Sequence, residues 1–195
     1  MSLSRQQLTL IGIFALFFGP LLLVMLMRSS WWQYQPSGLK NRGQLVQPVV
    51  QLSLDRPQAI ADKWLILYVL DQPCDQGCIE NVTALRQVHR AAGRNGEHLV
   101  IALLSDPQVS PELRARLEVI YPGFVFLMDS KQASLNALEN INTSLATAKP
   151  DMGDVHTYVL DPMLNVILAY PNGADPSDIH KDLKRLLKWS DKEGR

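Results

Sequence analysis

Cysteine is nearly absent from this 195-residue chain: there are two, Cys74 and Cys78. That excludes a scaffold built on a disulfide framework and leaves one redox pair or half a metal site. Net charge is absent too, with 19 Lys+Arg against 19 Asp+Glu. A neutral chain without a basic stripe is a poor match for phosphate-driven nucleic-acid binding. The sequence has no Gly-rich phosphate loop, no Ser-His-Asp order and no zinc-spaced Cys/His set. Internal repeats and low-complexity tracts are also lacking. What remains is globular in composition, 47% hydrophobic and 19% charged, and outside the disordered range. The length allows one ordinary domain and a little more.

The longest local absence is of charge. Residues 8–27 (LTLIGIFALFFGPLLLVMLM) carry no charged side chain. As a helix the run spans about 30 Å, the thickness of a hydrocarbon core. Gly12, Gly19 and Pro20 are tolerated in membrane helices. A cleaved signal peptide has a shorter apolar core, about 7–15 residues, followed by small residues; Met27-Arg28-Ser29-Ser30 offers no small-x-small pair. Residues 1–30 therefore read as an uncleaved anchor, with Trp31, Trp32 and Tyr34 at the membrane interface. A linker follows over residues 31–44, then a domain over 45–190 and a polar tail over 191–195. Arg5 precedes the apolar run, whereas Arg28, Lys40 and Arg42 follow it. Counted alone, these charges lean toward a cytoplasmic carboxy-terminal part.

Within the domain, LVQPVVQLSL is extended, and Pro48 marks an edge or a broken strand. Residues 64–70 (WLILYVL) are wholly apolar, the pattern of a buried central strand. From Cys78, Ile79, Val82, Leu85, Val88 and Ala92 recur at helical spacing, with Gly93 and Gly96 at the exit. A second apolar strand covers 99–104. Ser110 caps a helix with Pro111 at its first turn, carrying Leu113, Leu117 and Ile120 inward. Residues 124–128 (FVFLM) suit either a short strand or an apolar loop. Leu135, Leu138, Ile141 and Leu145 share one helical face. Residues 158–160 and 166–169 form a strand pair around Asp161-Pro162. The last helix starts at Asp175-Pro176 and buries Ile179, Leu183, Leu186 and Leu187, with Lys184, Arg185 and Lys188 toward its negative end. The predicted class is α/β, a mixed sheet with flanking helices.

Cys74 and Cys78 stand after the buried strand and at the start of a helix. Unpaired amides at a helix amino-terminus stabilise a thiolate, while Asp75 and Glu80 oppose that shift. On a regular helix, residues four apart hold their Cβ atoms about 5–6 Å apart, whereas a disulfide needs about 3.5–4.5 Å. For the two to bond, Cys74 must lie in the loop ahead of the helix. The same pair of thiolates could instead grip a soft ion such as copper(I), or two buried cysteines could simply pack.

A strand, a loop with two close cysteines, a helix, a strand, then a late hairpin and terminal helix resemble the thioredoxin fold. The anchor and the Cys-x3-Cys spacing make the chain similar to the Sco-type copper chaperones of cytochrome c oxidase assembly, over most of residues 45–190. Tyr158-Val159-Leu160-Asp161-Pro162 also matches. The resemblance implies copper as the metal, held by Cys74, Cys78 and one distant histidine. The family position for that histidine, nine residues before the turn proline, is Gly153 here, and His156 is displaced by three. Such a shift changes side-chain parity along a strand. Val155 occupies the place of the usual cis-proline beside the cysteines, which leaves two readings of the adjacent His156: the third ligand, with the Met152 thioether nearby, or a hydrogen-bonded structural histidine. The proline that usually follows the first cysteine is missing, and Pro73 precedes it.

The expectation is a membrane-anchored thioredoxin-like protein that handles copper for oxidase assembly, with an oxidase subunit or another assembly factor as partner and no nucleic acid. One alternative is a thiol-disulfide oxidoreductase in which Cys74 attacks and Cys78 resolves. Another is an assembly scaffold that keeps the fold without metal. The resemblance outweighs the charge count and places the domain in the periplasm of a bacterial inner membrane, where disulfides persist. His89, His98 and His180 are assigned to the surface. The Asn81-Val82-Thr83 and Asn142-Thr143-Ser144 sequons are frequent chance matches.

Overall fold

A computed structural model describes residues 4–28, 41–70, 73–105, 108–129 and 131–193. The chain forms two compact units, Met1–Lys40 and Asn41–Arg195. In the first, α1 (Arg5–Arg28) runs through Pro20 without a break and is long and apolar enough to cross a membrane. Phe14, Leu16, Phe17, Leu22 and Met25 are all exposed. Trp31, Trp32, Tyr34 and most of the 31–44 linker fall outside the described residues.

The second unit is a six-stranded sheet in the order β1-β6-β5-β2-β3-β4. Its strands are β1 (Gln44–Gln51), β2 (Trp64–Val69), β3 (Leu99–Ser105), β4 (Val125–Met128), β5 (Val155–Leu160) and β6 (Asn165–Pro171). The helices are α2 (Gln76–Ala91), α3 (Pro111–Ile120), α4 (Ala133–Ala148) and α5 (Pro176–Glu193). β2, β3 and β4 run parallel, while β5, β6 and β1 add antiparallel neighbours beyond β2. FVFLM is thus a strand over most of its length, paired with β3. β1 is an edge strand, as Pro48 demands, and its ladder to β6 is irregular between Leu45 and Val50.

The sheet is covered on both faces, which is why β2 and β3 read as unbroken apolar runs. Leu65 and Leu67 enter one core with Leu138, Ile141 and Leu145 of α4. Ile66 and Tyr68 enter the other, with Val82, Leu85 and Val88 of α2, Leu117 of α3, and Ile179 and Leu183 of α5. Each of these large side chains removed from water contributes about 1.5–3 kcal/mol.

Local polar groups set the element ends. Ser110 Oγ accepts from the Leu113 amide at 3.2 Å with Pro111 in the first turn. At α4 the cap comes from further back: Asp129 Oδ2 accepts from the Ser134 and Leu135 amides at 2.7 and 2.9 Å. In the β5–β6 turn, Asp161 Oδ1 accepts from the Met163 and Asn165 amides at 2.8 and 2.9 Å. His89 differs from its surface assignment. It is half-buried, with Nε2 at 3.0 Å from the Leu99 carbonyl and Nδ1 at 3.2 Å from the Tyr121 hydroxyl. Its position at the end of α2 gives it reach to both β3 and the α3 exit.

The start of the folded unit is fastened by a buried carboxylate. Asp182 of α5 is 1% exposed, and its Oδ2 accepts from the amides of Arg42 and Gly43 at 2.7 and 2.8 Å. The Tyr170 hydroxyl donates to the same oxygen at 3.1 Å. Burial and this carboxylate push the Tyr170 phenol far above its ordinary value. A Cβ at Gly43 would meet the Tyr170 ring at 2.5 Å, so only glycine lets the backbone come this close to the aromatic. Asp182→Ala strands two amides and a hydroxyl that a charged acceptor satisfied. The expected loss is about 3–5 kcal/mol in urea unfolding, and a loss below about 1 kcal/mol contradicts the fastening role.

Candidate functional site

The site lies where the buried strand β2 gives way to α2. Asp75 is the N-cap of α2, with Oδ1 accepting from the Cys78 amide at 2.9 Å. The helix therefore starts at Gln76, two residues earlier than the apolar spacing alone indicates, and leaves Cys74 in the loop. With that placement Cys74 and Cys78 form a disulfide, their Cα atoms 5.3 Å apart, inside the usual range. The two sulfurs differ in access. Cys78 is 6% exposed and packs in the core with Tyr68 and Val82, whereas Cys74 is half-buried at its edge. The carboxylate that opposes a thiolate by charge is also the one that occupies the Cys78 amide.

His156 reaches this end of the sheet through a defect in β5. Val155 pairs with Pro171 and Thr157 with Tyr170, so His156 is an extra residue opposite consecutive partners. Such a bulge re-aims the side chain. Val155 and Tyr158 then fall in the α4 core while Val159 falls in the α2 core. The imidazole sits 5.9 Å from the Tyr68 ring, centroid to centroid. Its Nδ1 is 3.2 Å from the Val69 carbonyl and its Nε2 is 2.8 Å from Asp154 Oδ1. Asn172 Nδ2 donates to the other oxygen of Asp154 at 3.0 Å. These contacts, the Asn172 hydrogen bond foremost, hold the Asp154 carboxyl below its ordinary value. Asn172 Oδ1 accepts in turn from Asn81 Nδ2, and that nitrogen lies 3.5 Å from the Tyr68 hydroxyl.

The expected Met152 thioether is elsewhere. Met152 is buried in the α4 core, apart from the cluster that holds Cys78. Gly153 is exposed after the short turn Pro150–Met152. Among the described residues, no three His, Cys, Asp or Glu side chains converge as a metal-binding group, and both sulfurs are engaged in the disulfide. Sequence reasoning marked the cysteines and His156 but passed over Asp154, Asn172 and Asn81. Asn81 stands one helical turn after Cys78, a spacing that could have flagged it. Asn172 carries no such signal, because its place depends on how the β6–α5 turn folds back.

A strand, cysteine loop and helix beside a hairpin and terminal helix make up the span 64–190. Over those residues the chain matches the family described as transmembrane-like, thioredoxin-like, C-terminal domain. The chain belongs to that family. The thioredoxin-like unit is also similar to solved structures. Yeast Sco1 with copper bound is 16% identical, with a TM-score of 0.50 over 66% of this chain and 80% of that one. Copper-bound ScoI of Arabidopsis thaliana is 16% identical, with a TM-score of 0.46 over 65% of this chain and 86% of that one. The thioredoxin domain of a thiol-disulfide oxidoreductase from Bacteroides vulgatus is 12% identical, with a TM-score of 0.44 over 74% of this chain and 96% of that one. At these identities the likeness concerns the fold. A search of curated proteins finds no match.

The unequal burial orders the reactivity of the thioredoxin-like pair. After reduction, iodoacetamide is expected to label Cys74 at least roughly tenfold faster than Cys78, since attack requires an accessible thiolate. Peptide mass spectrometry over a time course reads the order, and equal or reversed labelling contradicts it.

Proposed function

We propose that this protein is a membrane-anchored thiol protein whose Cys74–Cys78 pair cycles between disulfide and dithiol and, when reduced, carries one copper(I) as cargo in the assembly of cytochrome c oxidase. The observation that carries the reading is the disulfide at the β2–α2 junction, with one sulfur half-exposed and the other buried. That asymmetry suits exchange: an incoming thiolate attacks the accessible Cys74 sulfur and Cys78 departs, or in reverse Cys74 attacks and Cys78 resolves.

The copper step is supported by the chemistry of the donors. Two thiolates four residues apart are soft ligands for copper(I), and the Cys-x3-Cys spacing resembles that of the Sco-type chaperones. Both sulfurs must be released from the disulfide before they ligate. His156 is the candidate third ligand, on a condition the contacts set. Its two nitrogens face Val69 O and Asp154 Oδ1, so one contact has to break before a nitrogen turns to the metal. The anchor α1 and the persistence of disulfides outside the cytoplasm favour a domain on the periplasmic side of a bacterial inner membrane. Alkaline phosphatase fused after Arg195 is active in that orientation and inactive in the opposite one.

The partner of choice is an oxidase subunit or a further assembly factor, reached along the membrane by the tethered domain. Thiol-disulfide exchange without copper is the second reading, favoured by the disulfide itself. Copper separates the two. The reduced chain is expected to take up one copper(I) per molecule, and Cys78→Ser to weaken binding by at least about a hundredfold through loss of chelation. His156→Ala weakens it further only if the ring swings to the metal. Competition against a chromophoric copper(I) chelator measures both. Absence of uptake by the reduced wild type contradicts the copper reading and leaves exchange alone.

A further inference from the structure

The side chains around the cysteines close a ring of polar contacts whose ends lie on the two chain segments that carry the thiols. Asn81 stands three residues after Cys78 on α2 and donates to Asn172 Oδ1 in the turn after β6. Asn172 donates to Asp154 Oδ2 at 3.0 Å, and its main-chain amide donates to the Asp154 carbonyl at 2.7 Å. Asp154 Oδ1 is 2.8 Å from His156 Nε2, and His156 Nδ1 is 3.2 Å from the carbonyl of Val69. Val69 is the last residue of β2, five before Cys74. The ring thus runs from the first turns of α2, over two loops and a bulge, back to the end of β2. It bridges the flanks of the Cys-x3-Cys loop without involving either sulfur.

We propose that Asn81 and Asn172 are positioning residues that set how readily the Cys74–Cys78 disulfide opens and closes, an inference that rests on the redox reading of this pair. While the disulfide is intact, the bond itself holds the two flanks together and the ring adds little to their alignment. Once the bond is broken, the apolar stripe of α2 still seats the helix on the sheet, and the ring further restricts how far the end of β2 and the first turns of α2 move relative to each other. It therefore restricts the dithiol more than the disulfide, and raises the effective concentration of one thiol at the other. Cutting the ring frees the dithiol and makes reduction easier.

The test equilibrates the full chain in detergent with mixtures of reduced and oxidised dithiothreitol. Reduction breaks the Cys74–Cys78 bond, takes two electrons and two protons from the two thiols of the reagent, and leaves the reagent as its cyclic disulfide. Thiol labelling and intact mass give the fraction reduced. Asn172→Ala and Asn81→Ala are each expected to lower the reductant ratio at the midpoint about tenfold, roughly 30 mV for a two-electron couple. Asn81→Ala places a strong helix former on α2 and keeps the comparison available should Asn172→Ala fail to fold by circular dichroism. Asn165→Ala is the control. It removes an amide bond to Asp161 in the β5–β6 turn, lowers stability, and is expected to leave the midpoint in place. Midpoints of Asn81→Ala and Asn172→Ala equal to the wild type, or an equal shift in Asn165→Ala, overturn the positioning role. A wild type without a two-electron transition overturns the redox reading beneath it, and so is told apart from an unshifted variant.

Discussion

A disulfide between residues four apart cannot close within a regular helix, where their Cβ atoms stand about 5–6 Å from each other. The site depends on how the chain escapes that constraint. Asp75 ends the loop and begins the helix, taking the Cys78 amide on its own carboxylate. Cys74 is thereby kept in loop geometry while Cys78 is already helical, and the Cα separation contracts to 5.3 Å. The rest of the domain supplies a fixed wall on each side: β2, buried on both faces, delivers the loop, and the apolar stripe of α2 seats the helix against the sheet.

The bond itself closes a very short loop. The chain-entropy model gives such a five-residue closure only about 2 kcal/mol, against the roughly 5–15 kcal/mol net stability of an ordinary domain. The two cores contain no other covalent link among the described residues. They are filled by β2, β3, β5 and β6 with helices on both faces. A pair that contributes so little to holding the chain together, and that leaves one sulfur half-exposed, is suited to chemistry more than to stapling. The fastening of the first folded residues falls instead to Asp182, Tyr170 and the backbone of Gly43.

Much of this was legible from the residues. Unbroken apolar runs gave β2 and β3, Pro48 marked β1 as an edge or a broken strand, Ser110-Pro111 gave the start of α3, and disulfide geometry required Cys74 ahead of the helix if the two cysteines were to bond. Residues 124–128 stayed open because a short apolar stretch carries no period, and only pairing with β3 decides it. The start of α4 was missed because its cap, Asp129, lies outside the first turn. The polar ring was invisible for a related reason. His156 is aimed by a bulge that depends on register with Pro171 and Tyr170, and Asn172 matters through a turn that brings it to Asp154 and Asn81. Met152 illustrates the reverse case: close in sequence to His156, it packs in the core with α4.

The central claim is that the Cys74–Cys78 disulfide is a working group carried by a fold that stands without it. Amide hydrogen exchange on the full chain in detergent, oxidised and reduced, tests this most directly. Protection of β2, β3, β5 and β6 is predicted to survive reduction, with faster exchange confined to the loop after β2 and the first turns of α2. General loss of protection across the sheet on reduction would contradict the account and make the bond a structural staple.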